Sequence, residues 1–153
     1  MTESARRPAR PAKIELEQLF PHPPADVWRV LTTPELHARW WAPGDVRAVV
    51  GHHFTLDMGK WGQQPCEVTA VEPERLLRYR FATTSLDTTL TFRLTPEGEG
   101  TRLTFVQEGF DLDSPISRQA FEGMKPGWPR ILERIGSLLA RPVAAGLPFD
   151  FDV

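Results

Sequence analysis

The sequence predicts an α+β fold in which a curved antiparallel sheet closes on a long C-terminal helix. Between His53 and Gly109 apolar residues alternate with a period of two, in runs broken by turn residues. From Trp128 to Leu139 the period changes: Trp128, Ile131, Leu132, Ile135, Leu138 and Leu139 fall at i, i+3, i+4, i+7, i+10 and i+11. The strands follow one another through turns without helical crossovers, so they form a meander rather than a parallel sheet.

Ile14, Leu16 and Leu19 or Phe20 begin the ordered domain as a first strand, ended by Pro21-His22-Pro23-Pro24. A short helix follows from Ala25 to Leu31, with Val27, Trp28, Val30 and Leu31 apolar. Thr33 is an N-cap for a second one, with Pro34 and Glu35 in its first turn and Leu36, Trp40 and Trp41 on one side. Strands are expected at Val46–Val50, His53–Met58, Cys66–Glu72, Leu76–Ala82, Thr88–Thr95 and Arg102–Gly109. Glu72-Pro73-Glu74-Arg75 and Pro96-Glu97-Gly98-Glu99-Gly100 serve as hairpin connections. Ser114 and Pro115 mark a further helix start, and Ile116, Ala120 and Phe121 give it an apolar edge. Gly123 and Lys125-Pro126-Gly127 either separate this segment from the main helix or bend the two into one element. Pro129 fits the first turn of the main helix and Pro142 stops it. Gly136 makes sense if a backbone or a bulky ring comes close.

The 153 residues fit one domain, residues 14–141, with a basic arm over 1–13 expected to be disordered and a tail over 142–153. In the tail Leu147, Phe149, Phe151 and Val153 alternate with Asp150 and Asp152. A net charge of −2 argues against nucleic acid as a partner. The single cysteine, Cys66, and the lack of an apolar leader or membrane span point to a cytoplasmic protein that does not engage a membrane.

Several blocks resemble a known family. Val27-Trp28-Arg29-Val30-Leu31-Thr32, Pro34-Glu35-Leu36 and Trp40-Trp41-Ala42-Pro43 are similar to the opening of small bacterial proteins related to the C-terminal domain of the heat-shock-protein-90 ATPase activator. Glu67 to Leu77, Thr101 to Phe105, Glu108-Gly109-Phe110 and Gly127-Trp128 match its later blocks. This places the chain, from Ile14 to Ala140, in the START-like or SRPBCC superfamily with its helix-grip arrangement, the fold of the birch-pollen allergen. Gly51-His52-His53, Cys66 and Gln107 depart from the family pattern. The eukaryotic activator carries a separate chaperone-binding domain for which this chain is too short, so a chaperone partner is not expected.

The resemblance implies an apolar cavity between the sheet and the C-terminal helix. Strand alternation supplies Phe54, Leu56, Met58, Tyr79, Phe81, Leu90, Phe92 and Phe105 to its inner face, with Gln107 as the polar exception; the alternative, which the pattern leaves open, is that these side chains fill the core. Trp40, Trp41 and Trp61, each a large apolar body with one N–H, suit its mouth, and Trp128, Leu132 and Ile135 face it from the helix. The expected function is binding of a hydrophobic, aromatic or lipid-like small molecule. The alternatives are a cyclase-, dehydratase- or hydrolase-like enzyme in the same cavity, and a co-chaperone-like interaction module. No catalytic constellation, cofactor motif or metal set is recognised: His52 and His53 point to opposite strand faces, and Gly98-Glu99-Gly100 lacks the third glycine of a dinucleotide fingerprint. Exposed aromatics or the tail would serve a homodimer.

Overall fold

The computed structural model describes residues 10–140. The proposed arm over residues 1–9 and the tail beyond 140 lie outside them. The elements run β1 (Pro11–Phe20), α1 (Pro24–Thr32), α2 (Pro34–Trp40), β2 (His53–Asp57), a 3-10 turn (Gly59–Trp61), β3 (Gln63–Glu72), β4 (Leu76–Phe81), β5 (Thr88–Glu97), β6 (Gly100–Asp111) and α3 (Pro115–Leu139). All six strands are antiparallel, in the order β1-β6-β5-β4-β3-β2. The meander is therefore closed at one edge by the first strand, which pairs with the last. The α+β helix-grip architecture is the one the alternation and the C-terminal helix predict.

Three expectations need correction. Pro11, Ala12 and Lys13, assigned above to the arm, lie in β1 opposite Asp111, Phe110 and Glu108, and the Arg10 N–H bonds the Asp111 carboxylate at 3.1 Å. Their lack of large apolar side chains hid them, since this end of the edge strand is held by backbone pairing, with only Ala12 of the three packed against the core.

Val46–Val50 forms no strand. Val46 is buried but Val49 and Val50 are 59% and 61% exposed, so only one side chain has a place in the core. The segment instead turns on itself through Val49 N–H to Arg47 C=O (2.8 Å), and the chain just before it touches the sheet at an isolated bridge, Gly44 to Leu56. A Cβ on Gly44 would stand 2.4 Å from the Thr55 carbonyl oxygen, so only glycine permits that approach.

The C-terminal helix begins at Pro115 and continues without interruption for 25 residues. Its start is the predicted one: the Ser114 hydroxyl accepts the Ser117 N–H (3.4 Å), and Pro115 occupies the first turn. Pro129 thus sits inside the helix rather than in its first turn, as does Pro126. Each removes an N–H donor, which frees the carbonyls of Glu122 and Lys125. Both residues are exposed, so water can take those bonds. Packing holds the helix together across this weak stretch, for Trp128 between the two breaks is fully buried.

Candidate functional site

The gap between sheet and α3 is closed over one half of the helix and open over the other. In the closed half, five aromatic rings form a circuit. Trp40 meets Phe92 edge-on with centroids 5.8 Å apart, Phe92 meets Phe105 at 5.2 Å, Phe105 meets Trp128 at 4.2 Å and Trp128 meets Trp41 at 4.9 Å. The Trp40–Trp41 stack at 6.1 Å completes the circuit. Leu132 and Ile135 continue this packing along the helix and are fully buried. The Trp40 indole N–H donates to the Val30 carbonyl at 2.9 Å, tying α2 to α1.

Gln107 is the polar centre of this half. Its Oε1 accepts from the Trp128 indole N–H (2.8 Å), its Nε2 donates to the Thr88 hydroxyl (2.9 Å), and Nε2 also approaches the Met124 sulfur (3.5 Å). A second buried polar pair joins α2 to β4. His37 Nδ1 lies 2.7 Å from the Ala42 carbonyl, which can only accept, so Nδ1 carries the proton. Nε2 is then the acceptor for the Tyr79 hydroxyl at 3.0 Å. Burial takes the His37 pKa down to about 4, against a raising contribution from the Ala42 bond, so the ring is neutral at pH 7. Burial, with a smaller contribution from Cys66, holds the Tyr79 phenol well above its ordinary value. His37 escaped the sequence reading. The signal was its place three and four residues before Trp40 and Trp41, on the same helix face.

The open half holds a cavity of about 490 Å³ between the N-terminal half of α3, the 3-10 turn and the β4–β5 connection. Its α3 wall is Ile116, Gln119, Ala120, Gly123 and Met124, at i, i+3, i+4, i+7 and i+8. Met58, Lys60, Trp61, Gln64, Phe81, Ala82, Ser85 and Leu86 complete the lining. Trp61 and Ile116, 62% and 71% exposed, stand at its rim. The loop carrying Ala82, Ser85 and Leu86 is flanked by two left-handed non-glycine residues, Ala82 (φ 57°) and Asp87 (φ 52°). The Asp87 N–H bonds the Ala82 carbonyl at 2.7 Å, and Arg80 holds the Asp87 carboxylate at 2.9 Å.

Of the residues expected in a pocket, Met58, Trp61 and Phe81 line this cavity. Trp40, Phe54, Leu56, Tyr79, Leu90, Phe92, Phe105, Gln107, Trp128, Leu132 and Ile135 are buried in the packed interior, and half-buried Trp41 lies between Trp128 and Phe81. The strand face was read correctly as inward, but α3 and α2 fill the space in front of it. Gln119, Gly123 and Met124 were missed as lining because the cavity was expected along the helix from Trp128 onward, and Lys60, Gln64 and Ser85 because they come from the 3-10 turn, the start of β3 and the β4–β5 connection, outside the alternating apolar runs.

Among the described residues Lys60 is the only ionisable side chain in the lining. Buried Cys66 lies nearby in β3, but burial pushes its thiol up to about 12 despite the Ala82 backbone bond, so it is no nucleophile at neutral pH. Among the described residues no group of three or more His, Cys, Asp or Glu side chains could hold a metal ion. No helix among them is long and apolar enough to cross a membrane.

Residues 21–140 match the model of a family described as Activator of Hsp90 ATPase homolog 1-like protein. The chain belongs to this family. The solved structure of protein MLL2253 from Mesorhizobium loti is similar to this Hsp90-activator-homologue chain at 37% identity and a TM-score of 0.75, covering 84% of this chain and 96% of that one. Protein BH1534 from Bacillus halodurans is 31% identical with a TM-score of 0.74, over 82% and 95% of the two chains. The Aha1 dimer from Colwellia psychrerythraea shares the fold at 17% identity, with a TM-score of 0.71 over 84% and 96%. No curated protein matches this member of the family.

Proposed function

We propose that the protein binds a hydrophobic small molecule in the cavity between the sheet and the N-terminal half of α3. The carrying observation is the cavity itself. Its volume lies within the range of small-molecule sites, and Met58, Trp61, Phe81, Leu86, Ile116, Ala120 and Met124 make it mostly apolar, with a few polar side chains to orient a ligand. Binding is favoured over catalysis because general acid–base chemistry needs a proton donor and acceptor of matched pKa, and Lys60 stands alone. The buried His37–Tyr79 pair lies behind the wall and takes no part.

Gly123 gives a clean test. A Cβ there would meet nothing within 4 Å, so Gly123→Leu projects a side chain into the cavity without a clash and removes a residue that weakens helices. N-phenyl-1-naphthylamine, a neutral fluorescent aryl amine, should bind the native chain saturably and lose most of its affinity for Gly123→Leu, whose circular dichroism stays native. Equal binding to both chains, or none to either, refutes the proposal. Native mass spectrometry of protein purified gently from its own host would then show which molecule it retains.

A further inference from the structure

We infer that the ligand is an anionic amphiphile, an apolar or aryl body carrying a single acidic head that Lys60 receives at the cavity rim. This rests on the cavity being a ligand site and names the chemistry the site selects. The inference follows from how charge and polarity are distributed around the opening. The inner wall, made by Phe81, Leu86, Ala120 and Met124, offers no charge, and among the described residues no carboxylate lines the cavity. Among the described residues Lys60 also has no carboxylate within ion-pair distance. Its ammonium instead rests over the Trp61 ring, 5.3 Å from the centroid, which holds a cation beside an apolar surface without neutralising it. The neighbouring Asp57 carboxylate is turned toward the 3-10 turn, where it accepts the Gly59 N–H at 3.0 Å.

Of the remaining polar lining, Gln119 stands on the α3 wall, while Gln64 and Ser85 are joined by a hydrogen bond. Gln64 Nε2 donates to the Trp61 carbonyl at 2.7 Å, and its Oε1 accepts from the Ser85 hydroxyl at 3.3 Å, so the amide is fixed and keeps one N–H unspent. The cavity lining thus offers a ligand head one full positive charge, on Lys60, and the remaining N–H of Gln64, both of which suit an acidic oxygen. A neutral hydrocarbon would use the apolar wall alone. A cationic ligand would face Lys60 with no compensating acid. A cavity of about 490 Å³ is of the size that takes an aryl or medium-chain acid.

Two probes with the same aryl amine body separate charge from hydrophobicity. 8-Anilinonaphthalene-1-sulfonate carries a sulfonate that N-phenyl-1-naphthylamine lacks, and only signal that disappears in Gly123→Leu counts as cavity binding. The native chain is expected to prefer the sulfonate, by about fivefold at low salt, and to lose that preference as ionic strength rises. Lys60→Met should weaken the sulfonate relative to the neutral probe by the same factor, while Lys60→Arg keeps the preference. Cavity binding of both probes with equal affinity, or a preference that survives Lys60→Met, overturns the anionic assignment while leaving the binding site standing. Failure of both probes to bind the cavity overturns the site and the assignment together.

Discussion

The two halves of α3 face the same sheet, yet one half seals against it and the other leaves a cavity. The difference lies in side-chain volume at equivalent helical positions. The C-terminal half presents Trp128, Leu132, Ile135, Leu138 and Leu139, and Trp128 meets Phe105 and Trp41, which pack in turn on Phe92 and Trp40. The N-terminal half presents Ala120 and Gly123 between Ile116 and Met124, and Leu86 and Phe81 do not reach across to them. A helix-grip fold thus needs no distortion to hold a ligand. It needs two small residues on one stretch of helix and a dense stretch elsewhere to carry the stability.

The largest effect should come from breaking the dense stretch. Trp128→Ala removes the indole that Phe105 and Trp41 pack against and leaves Gln107 Oε1 without its donor, so a loss of about 3–5 kcal/mol is expected. Met124→Ala, at a position that already borders empty space, should cost under about 2 kcal/mol. Urea unfolding of both variants measures the contrast, and equal losses would mean that the open half carries as much stability as the closed one.

His37 gives the closed half a pH dependence. Its pKa falls from 6.5 to about 4 on folding, so the unfolded chain binds the proton more readily. Stability from this group is complete above about pH 6.5 and drains away as pH drops toward 4, because protonation requires charging a buried ring. At about 1.4 kcal/mol per tenfold change in proton affinity, the difference amounts to roughly 3 kcal/mol across that window. The urea midpoint of the native chain should decline between pH 6.5 and 4 more steeply than that of His37→Phe, which is less stable at pH 7 but has no imidazole to charge. Parallel profiles would show that the ring stays neutral for another reason or is charged already.

How much of this was legible follows the same division. The sheet, its inward face and the helix from Trp128 onward could be read because apolar periodicity is a strong signal where packing is dense. Trp40 and Trp128 were visible as large residues, but whether a tryptophan lines a pocket or plugs it depends on what stands opposite, which one sequence does not say. The cavity wall was harder to see for a physical reason. Ala120, Gly123 and Gln119 mark space by being small or polar, and between Pro115 and Pro126 they resemble a helix that is about to end. His37 and Lys60 carry information only through what other elements bring: Tyr79 from β4 in the first case, and in the second an opening formed by three segments with no acid among the described residues that line it.

The smallest expected effect discriminates best between the two halves, because it uses one substitution at two glycines of one helix. Gly136 lies in the closed half, where a Cβ would stand 3.3 Å from the Phe20 ring, the close approach its presence in a helix predicts. Gly123 lies in the open half, where a Cβ would meet nothing. Replacing glycine by alanine in a helix interior gains up to about 1 kcal/mol when space allows. Gly123→Ala should realise most of that gain, since the methyl group enters the cavity unopposed and is too small to exclude a ligand. Gly136→Ala should realise little or lose stability, as the same backbone benefit is offset by pushing Phe20 out of its place. Thermal unfolding of the two variants would therefore move in different directions from a chemically identical change. If both gained equally, the closed half would have slack that its aromatic packing does not suggest, and side-chain volume alone would no longer explain why only one end of the helix stands away from the sheet.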